Sequence, residues 1–140
     1  MEIKESRGIT MGALRKIRIT AGSVSVTATL GNNATADAIW DALPLQANGN
    51  RWGDEIYFGI PVRLELERNE TAQDVVQVGD LAYWPPGHAF CIFWGPTPAS
   101  VGSEIRPAST VNVFGSIDGD AAVFAAVRSG TQVQVEKIRE

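Results

Sequence analysis

The sequence predicts a mainly β fold, a closed eight-stranded antiparallel barrel capped by two short helices. Three observations lead there. Runs of alternating apolar and polar residues recur from Leu14 to the C-terminus, which is the period-two signature of strands with one buried face. The connections between most of these runs are too short to carry crossover helices, so a parallel sheet is excluded. Only two segments show helical periodicity, one early and one late in the chain.

In chain order, residues 1–12 mix charges and a glycine without periodicity and read as a tail or a loose edge strand, leaving 13–140 as one domain. "LRKIRIT" and "VSVTATL" alternate around a short Ala21-Gly22-Ser23 link, as a hairpin requires. Asn32 to Thr35 supply capping residues for "ADAIWDAL", whose Ala38, Ile39, Ala42 and Leu43 share a helical face, and Pro44 ends the helix. The sequon at Asn33 has no secretory context and reads as capping. A polar loop is expected around Asn48-Gly49. Beyond it "EIYFGIP" and "VRLELER" form the third and fourth strands, with Val62, Leu64 and Leu66 facing one way. "VGDLAYW" and "AFCIFW" flank a Pro85-Pro86-Gly87 turn, followed by "VNVFGSI", a second helix in "DAAVFAAVR" capped by Asp118 or Asp120, and "TQVQVEKI".

The chain has 140 residues, 44% of them hydrophobic, with one cysteine and a net charge of -4. A domain of this size buries roughly 70% of its unfolded surface and needs no covalent staples. Cys91 has no disulfide partner, no basic start leads into an apolar leader, and no apolar run approaches a membrane span. The expectation is therefore a cytoplasmic protein without a membrane partner. The acidic balance also argues against binding nucleic acid.

Three blocks carry a resemblance: "RWGDEIYFGIPV", "VGDLAYWPPGHAFCIFWGPTPAS" and "IRPASTVNVFGSI". They resemble the small bacterial and archaeal cyclophilin-like domain family over about Arg51 to Gln134. The resemblance implies an eight-stranded antiparallel barrel with two helices and a pocket, with no reaction attached. True cyclophilins are peptidyl-prolyl isomerases that set an arginine against the proline amide in a segment ending Phe-His-Arg-Val-Ile-Pro. Placing its Ile-Pro on Ile60-Pro61 puts Phe58 at the arginine and Tyr57 at the histidine. The catalytic cation is thus unmatched, and Arg63 could replace it only in another register.

The remaining chemistry is weighed residue by residue. In an extended 88–94 segment, His88 and Cys91 point to opposite faces, so an inert buried cysteine is expected rather than a thiol-imidazole dyad. One histidine and one cysteine make no zinc cluster, and neither a metal nor another cofactor is expected. Neighbours Asp54 and Glu55 face apart and cannot share a proton. Trp84-Pro85-Pro86-Gly87 is a rigid turn that doubles as a ligand platform, and the stiff loop from Gly95 to Pro107 is a candidate rim.

The ligand-binding set is Glu55, Tyr57, Phe58, Arg63, Tyr83, Trp84, His88 and Phe93, with Glu55, Tyr57, Tyr83, Trp84 and His88 as the polar-tipped pocket. The reading is a binding module for a small molecule or an extended peptide on an aromatic groove. The alternatives are an unusual isomerase using Arg63 or His88, and a homodimer extended by Trp40 on the first helix.

Overall fold

Strands β1 (Arg15–Ala21) and β2 (Val24–Leu30) form the expected hairpin, paired along their whole length from Arg15 opposite Leu30 to Ala21 opposite Val24. Gly22 takes the left-handed conformation (φ 61°) that the tight link requires. The computed structural model describes residues 14–138, and the 1–12 tail lies outside the described residues.

Helix α1 (Ala34–Ala42) starts where the capping chemistry predicts. The Asn33 side chain accepts from the Ala36 N–H at 2.8 Å, Ala36 and Ile39 are buried, and Pro44 follows the C-cap.

The polar stretch after the helix departs from expectation, because it enters the sheet. β3 (Leu45–Asn48) pairs with the last strand, β10 (Gln132–Lys137), and β4 (Asn50–Arg51) pairs with β5 (Glu55–Gly59). With β6 (Ala72–Gln73), β7 (Asp80–Trp84), β8 (Ala89–Phe93) and β9 (Val111–Ile117), the sheet has ten strands. Nine follow the order β3-β10-β1-β2-β9-β7-β8-β5-β4, and β6 is paired to β9. All pairings are antiparallel.

The two ends of this path, β3 and β4, are joined through Gly49, which nearly closes the barrel. Gly49 donates to Thr131 O and accepts from Gly130 N, both at 2.8 Å. A Cβ there would stand 3.1 Å from Ile56 Cγ2 and 3.2 Å from Val133 Cγ2, so the seam has little room for a side chain.

The "VRLELER" segment is the second departure. It keeps the strand alternation, with Val62 buried, Leu64 and Leu66 half-buried, and Arg63 and Glu65 exposed, yet it joins no ladder. Its backbone groups are paired by side chains instead. The Tyr83 hydroxyl donates to Val62 O at 2.6 Å and accepts from the Leu64 N–H at 3.1 Å, while the Asn112 amide both accepts from Glu67 N (3.0 Å) and donates to Glu67 O (2.8 Å). Two buried polar side chains thus do for this segment what a neighbouring strand does elsewhere.

Two cores result from the alternation of β5, β7 and β8. Inside the barrel, Phe58 stacks on Phe90 with centroids 5.0 Å apart, and Phe90 meets Phe114 edge-on at 5.1 Å. On the outer face, Ala82, Ala89, Cys91, Phe93 and Val111 pack with Val76 and Ile105 from the overlying loops. The second helix is a 3-10 helix, Ala121–Ala126, capped by the Asp120 side chain on Ala122 N. Among the described residues no helix is long and apolar enough to cross a membrane.

Replacing Tyr83 by Phe removes one hydroxyl and leaves the Val62 carbonyl and Leu64 N–H without it. The expected loss is about 1–3 kcal/mol, the usual penalty for stranding buried polar groups. A lower denaturant midpoint at unchanged slope, with faster hydrogen exchange at Leu64, would show it. Unchanged stability would mean that water serves the segment equally well.

Candidate functional site

The outer face of β5, β7 and β8 is covered at one side by the 95–110 loop, and a cleft of about 270 Å³ opens between them. It is lined by Trp52, Glu55, Tyr57, Trp84, Cys91, Pro107, Ala108 and Val111. Each wall follows from local structure.

On β5, Glu55 and Tyr57 point outward while Ile56 and Phe58 fill the barrel, as period-two alternation dictates. On β8, Cys91 stands opposite Tyr57 in register. Trp84 ends β7 and is held twice over: its indole N–H donates to Ser109 Oγ at 2.7 Å, and its ring lies so close to Gly87 that a Cβ there would come within 2.7 Å of it. The Pro85–Gly87 segment is a single 3-10 turn, so the "WPPG" block stiffens the chain just where it seats this ring.

The loop owes its position to a small polar knot. Thr97 Oγ1 donates to Arg106 O, and Ser100 Oγ accepts from the backbone N–H of Thr97 (2.9 Å) and Arg106 (3.0 Å). A bridge between Val76 and Ile105 ties the loop to the outer core, which brings Pro107 and Ala108 over the sheet. The "RWGD" and "FWGPTP" blocks meet beside the cleft, where Asp54 N donates to Pro96 O and Trp94 N to Asp54 O. Gly53, at φ 63°, leaves a would-be Cβ only 2.9 Å from Pro98 Cδ.

Besides Tyr83 and Trp94, four polar side chains are buried among the described residues: Thr35, Glu55, Thr97 and Asn112. Thr35 donates to Glu67, Thr97 anchors the loop, and Asn112 pairs with the 62–67 segment. Glu55, only 5% exposed, meets the Cys91 thiol alone, and the buried side-chain atom without any hydrogen-bond partner among the described residues is Trp94 Nε1. No cation is paired with it: the four ion pairs among the described residues all involve other groups.

Burial pushes the Glu55 carboxyl up from 4.5 to about 7, a rise that the Cys91 contact only partly offsets. The Cys91 thiol is itself pushed well above its ordinary value, first by burial and then by the neighbouring Glu55 charge. It is held as a neutral thiol, consistent with the inert cysteine expected from the sequence.

The sequence-predicted set divides. Glu55, Tyr57 and Trp84 line the cleft together. Phe58 and Tyr83 are fully buried in the barrel, and Phe93 is fully buried in the outer core beneath the loops. His88 and Arg63 sit elsewhere. Arg63 Nη1 lies 3.0 Å from His88 Nε2, and His88 Nδ1 lies 3.1 Å from the Tyr83 hydroxyl. Since that hydroxyl already spends its proton on Val62 O, the arrangement that satisfies every contact puts the imidazole proton on Nδ1 and lets Nε2 accept from Arg63.

Sequence reasoning passed over Cys91, Trp52 and Val111 as cleft residues. The first two were legible in part, because Cys91 shares the outward face of β8 and Trp52 belongs to the "RWGD" block. No group of three or more His, Cys, Asp or Glu among the described residues could hold a metal ion.

The comparisons agree with this architecture. The cyclophilin-like family model matches residues 15–136. Among solved structures, a hypothetical protein from Archaeoglobus fulgidus, determined in solution, is 43% identical, with a TM-score of 0.75 over 91% of this chain and 100% of that one. No curated protein matches the chain.

A carboxyl raised by burial binds protons more tightly folded than unfolded, so its contribution is fully present below pH 4.5 and is lost as pH rises through about 7. Glu55→Gln should therefore gain stability relative to the wild type between those values, by roughly 3 kcal/mol in total. Denaturation of both proteins at pH 5 and pH 8 checks this. A difference that is independent of pH would place the Glu55 carboxyl in contact with water.

Proposed function

The chain belongs to the cyclophilin-like family, and we propose that in this member the outer cleft of the barrel is a binding site for a small molecule. The observation that carries the reading is Glu55, a buried carboxyl facing an aromatic-walled cleft, with the neutral Cys91 thiol as its hydrogen-bond partner and no ion-pair partner among the described residues. Buried ionisable groups are ordinarily paired with an opposite charge, and one left without it toward a concave apolar site is the arrangement of an orienting group in a ligand pocket.

Size favours a small molecule over an extended peptide. The cleft, at about 270 Å³, lies just below the usual range of ligand pockets and suits roughly one substituted ring. A more open groove of about 490 Å³ runs past Leu64, Glu65, Pro85, Pro86 and His88, and no fully buried polar side chain lines it. The rings of the 79–98 stretch are turned into the two cores or the cleft, and no aromatic residue is among the exposed large hydrophobics. Trp40 lies beneath two cations, Arg15 at 5.8 Å and Lys137 at 4.7 Å.

Amide shift mapping with small aromatic fragments tests the reading. Perturbations should cluster at residues 52–57, 84, 91 and 107–111 and should weaken at least tenfold in Trp84→Ala. Perturbations centred on His88 and Pro86 instead would move the site to the open groove.

This reading assigns no isomerisation to the cleft, since no guanidinium is among its lining residues and Arg63 contacts His88. X-Pro exchange measured by NMR should proceed at the uncatalysed rate. Acceleration that is abolished in Arg63→Ala would restore the isomerase reading.

A further inference from the structure

We propose that the ligand of this cleft is a small organic cation, a planar nitrogen base of the amidine or aminoheterocycle type, with its charged nitrogens on Glu55 and its ring among Trp52, Tyr57 and Trp84. The proposal rests on the reading of the cleft as a binding site and adds the charge and shape of what enters it.

The charge follows from the lining. Glu55 is the one acid among the lining residues, and no Lys, Arg or His accompanies it. The titratable groups that face it are Tyr57 from its own strand and Cys91 from β8, while the loop contributes Pro107 and Ala108 and β9 contributes Val111. The cation nearest in sequence, Arg51, is committed elsewhere: its guanidinium lies 4.9 Å from the Trp94 ring centroid and bonds Gly53 O, Ala125 O, Val127 O and Asp54. A carboxylate so placed is destabilised by desolvation and lacks a counter-charge, and a bound cation supplies that charge. An anionic ligand would meet repulsion. A neutral one would leave the carboxyl protonated or unpaired.

The shape follows from the walls. Three aromatic side chains around one carboxyl are the elements of a cation site in which ring faces attract the charge that the carboxylate neutralises. The planar fork of an amidinium can present two parallel N–H donors to both carboxylate oxygens. A larger or branched cation would not fit the volume.

The arrangement carries its own pH signature. Because burial holds the Glu55 carboxyl near pH 7, a cation must displace a proton from it at lower pH. Affinity should rise about tenfold per pH unit up to about 7 and level off above it, with proton release on the acid side.

Calorimetric titration of the full chain with benzamidine, benzamide and benzoate between pH 5.5 and 8.5 tests this, with amide shift mapping to locate each probe. Benzamidine should bind at least tenfold tighter than benzamide at pH 8, with the pH slope above, and benzoate should not bind. Glu55→Gln should bring the benzamidine-to-benzamide ratio to within about twofold. Benzamide or benzoate binding the cleft as tightly as benzamidine, or a flat pH profile for wild-type benzamidine binding, overturns the cation while leaving the site intact. Absence of any perturbation at the cleft by all three probes overturns the site as well. The wild-type pH profile decides the question even where Glu55→Gln does not fold.

Discussion

Strand β8 is the constraint on which the rest of the structure depends, because both of its faces are buried. All five residues, Ala89 to Phe93, are withdrawn from solvent. Phe90 and Ile92 belong to the barrel interior, and Ala89, Cys91 and Phe93 to the outer core. A strand covered on one side only would leave the outer face of β5 and β7 to water, and Glu55 would be an ordinary surface acid. The 95–110 loop is what prevents this. Its polar knot around Thr97 and Ser100 offsets the entropy of ordering a long connection, and the bridge at Ile105 seats it on the sheet. Outer core and cleft are therefore consequences of the same act of coverage.

The signature blocks acquire physical meanings in this setting. "WPPG" seats the Trp84 ring against a residue that has no side chain to obstruct it. "RWGD" and "FWGPTP" are complementary halves of one contact, in which Gly53 and Gly95 allow approaches that a Cβ would forbid: Pro98 Cδ at 2.9 Å in the first case and Asp54 Oδ2 at 2.5 Å in the second. His88 is the counterexample to the glycine rule. It holds a left-handed conformation, φ 48°, that disfavours a side chain, and its ring gains contacts with Tyr83 and Arg63 in exchange. These three residues contact one another beside the unladdered 62–67 segment, and none of them lines the cleft.

Polar burial is distributed unevenly for a reason. Tyr83 and Asn112 stand where backbone would otherwise go unpaired, and their geometry is fixed by the groups that they serve. Glu55 serves no backbone among the described residues. The fold tolerates it because protonation is a cheap escape from desolvation, and that same option makes the residue responsive to any ligand able to replace the proton.

Period-two alternation, hairpin turns and capping chemistry are local, so the sequence by itself determined most strands, the first helix with its cap within Asn32 to Thr35, the second helix with a cap at Asp118 or Asp120, and the placing of Glu55 and Tyr57 on one face of their strand. The barrel class was legible for the same reason, as was the family, because its blocks are short and unusual in composition. Local patterns say nothing about partners. Residues 45–51 look polar yet close the barrel, since Gly49 is flanked by strands far away in the sequence. Residues 62–68 alternate like a strand yet find side chains where a ladder was expected. Tyr83 and Trp84 are adjacent aromatics, and only the sheet decides that one fills the barrel and the other walls the cleft. Which side of a strand is inside, and whether the outside is covered, depends on contacts between distant parts of the chain, and only the tertiary structure supplies them.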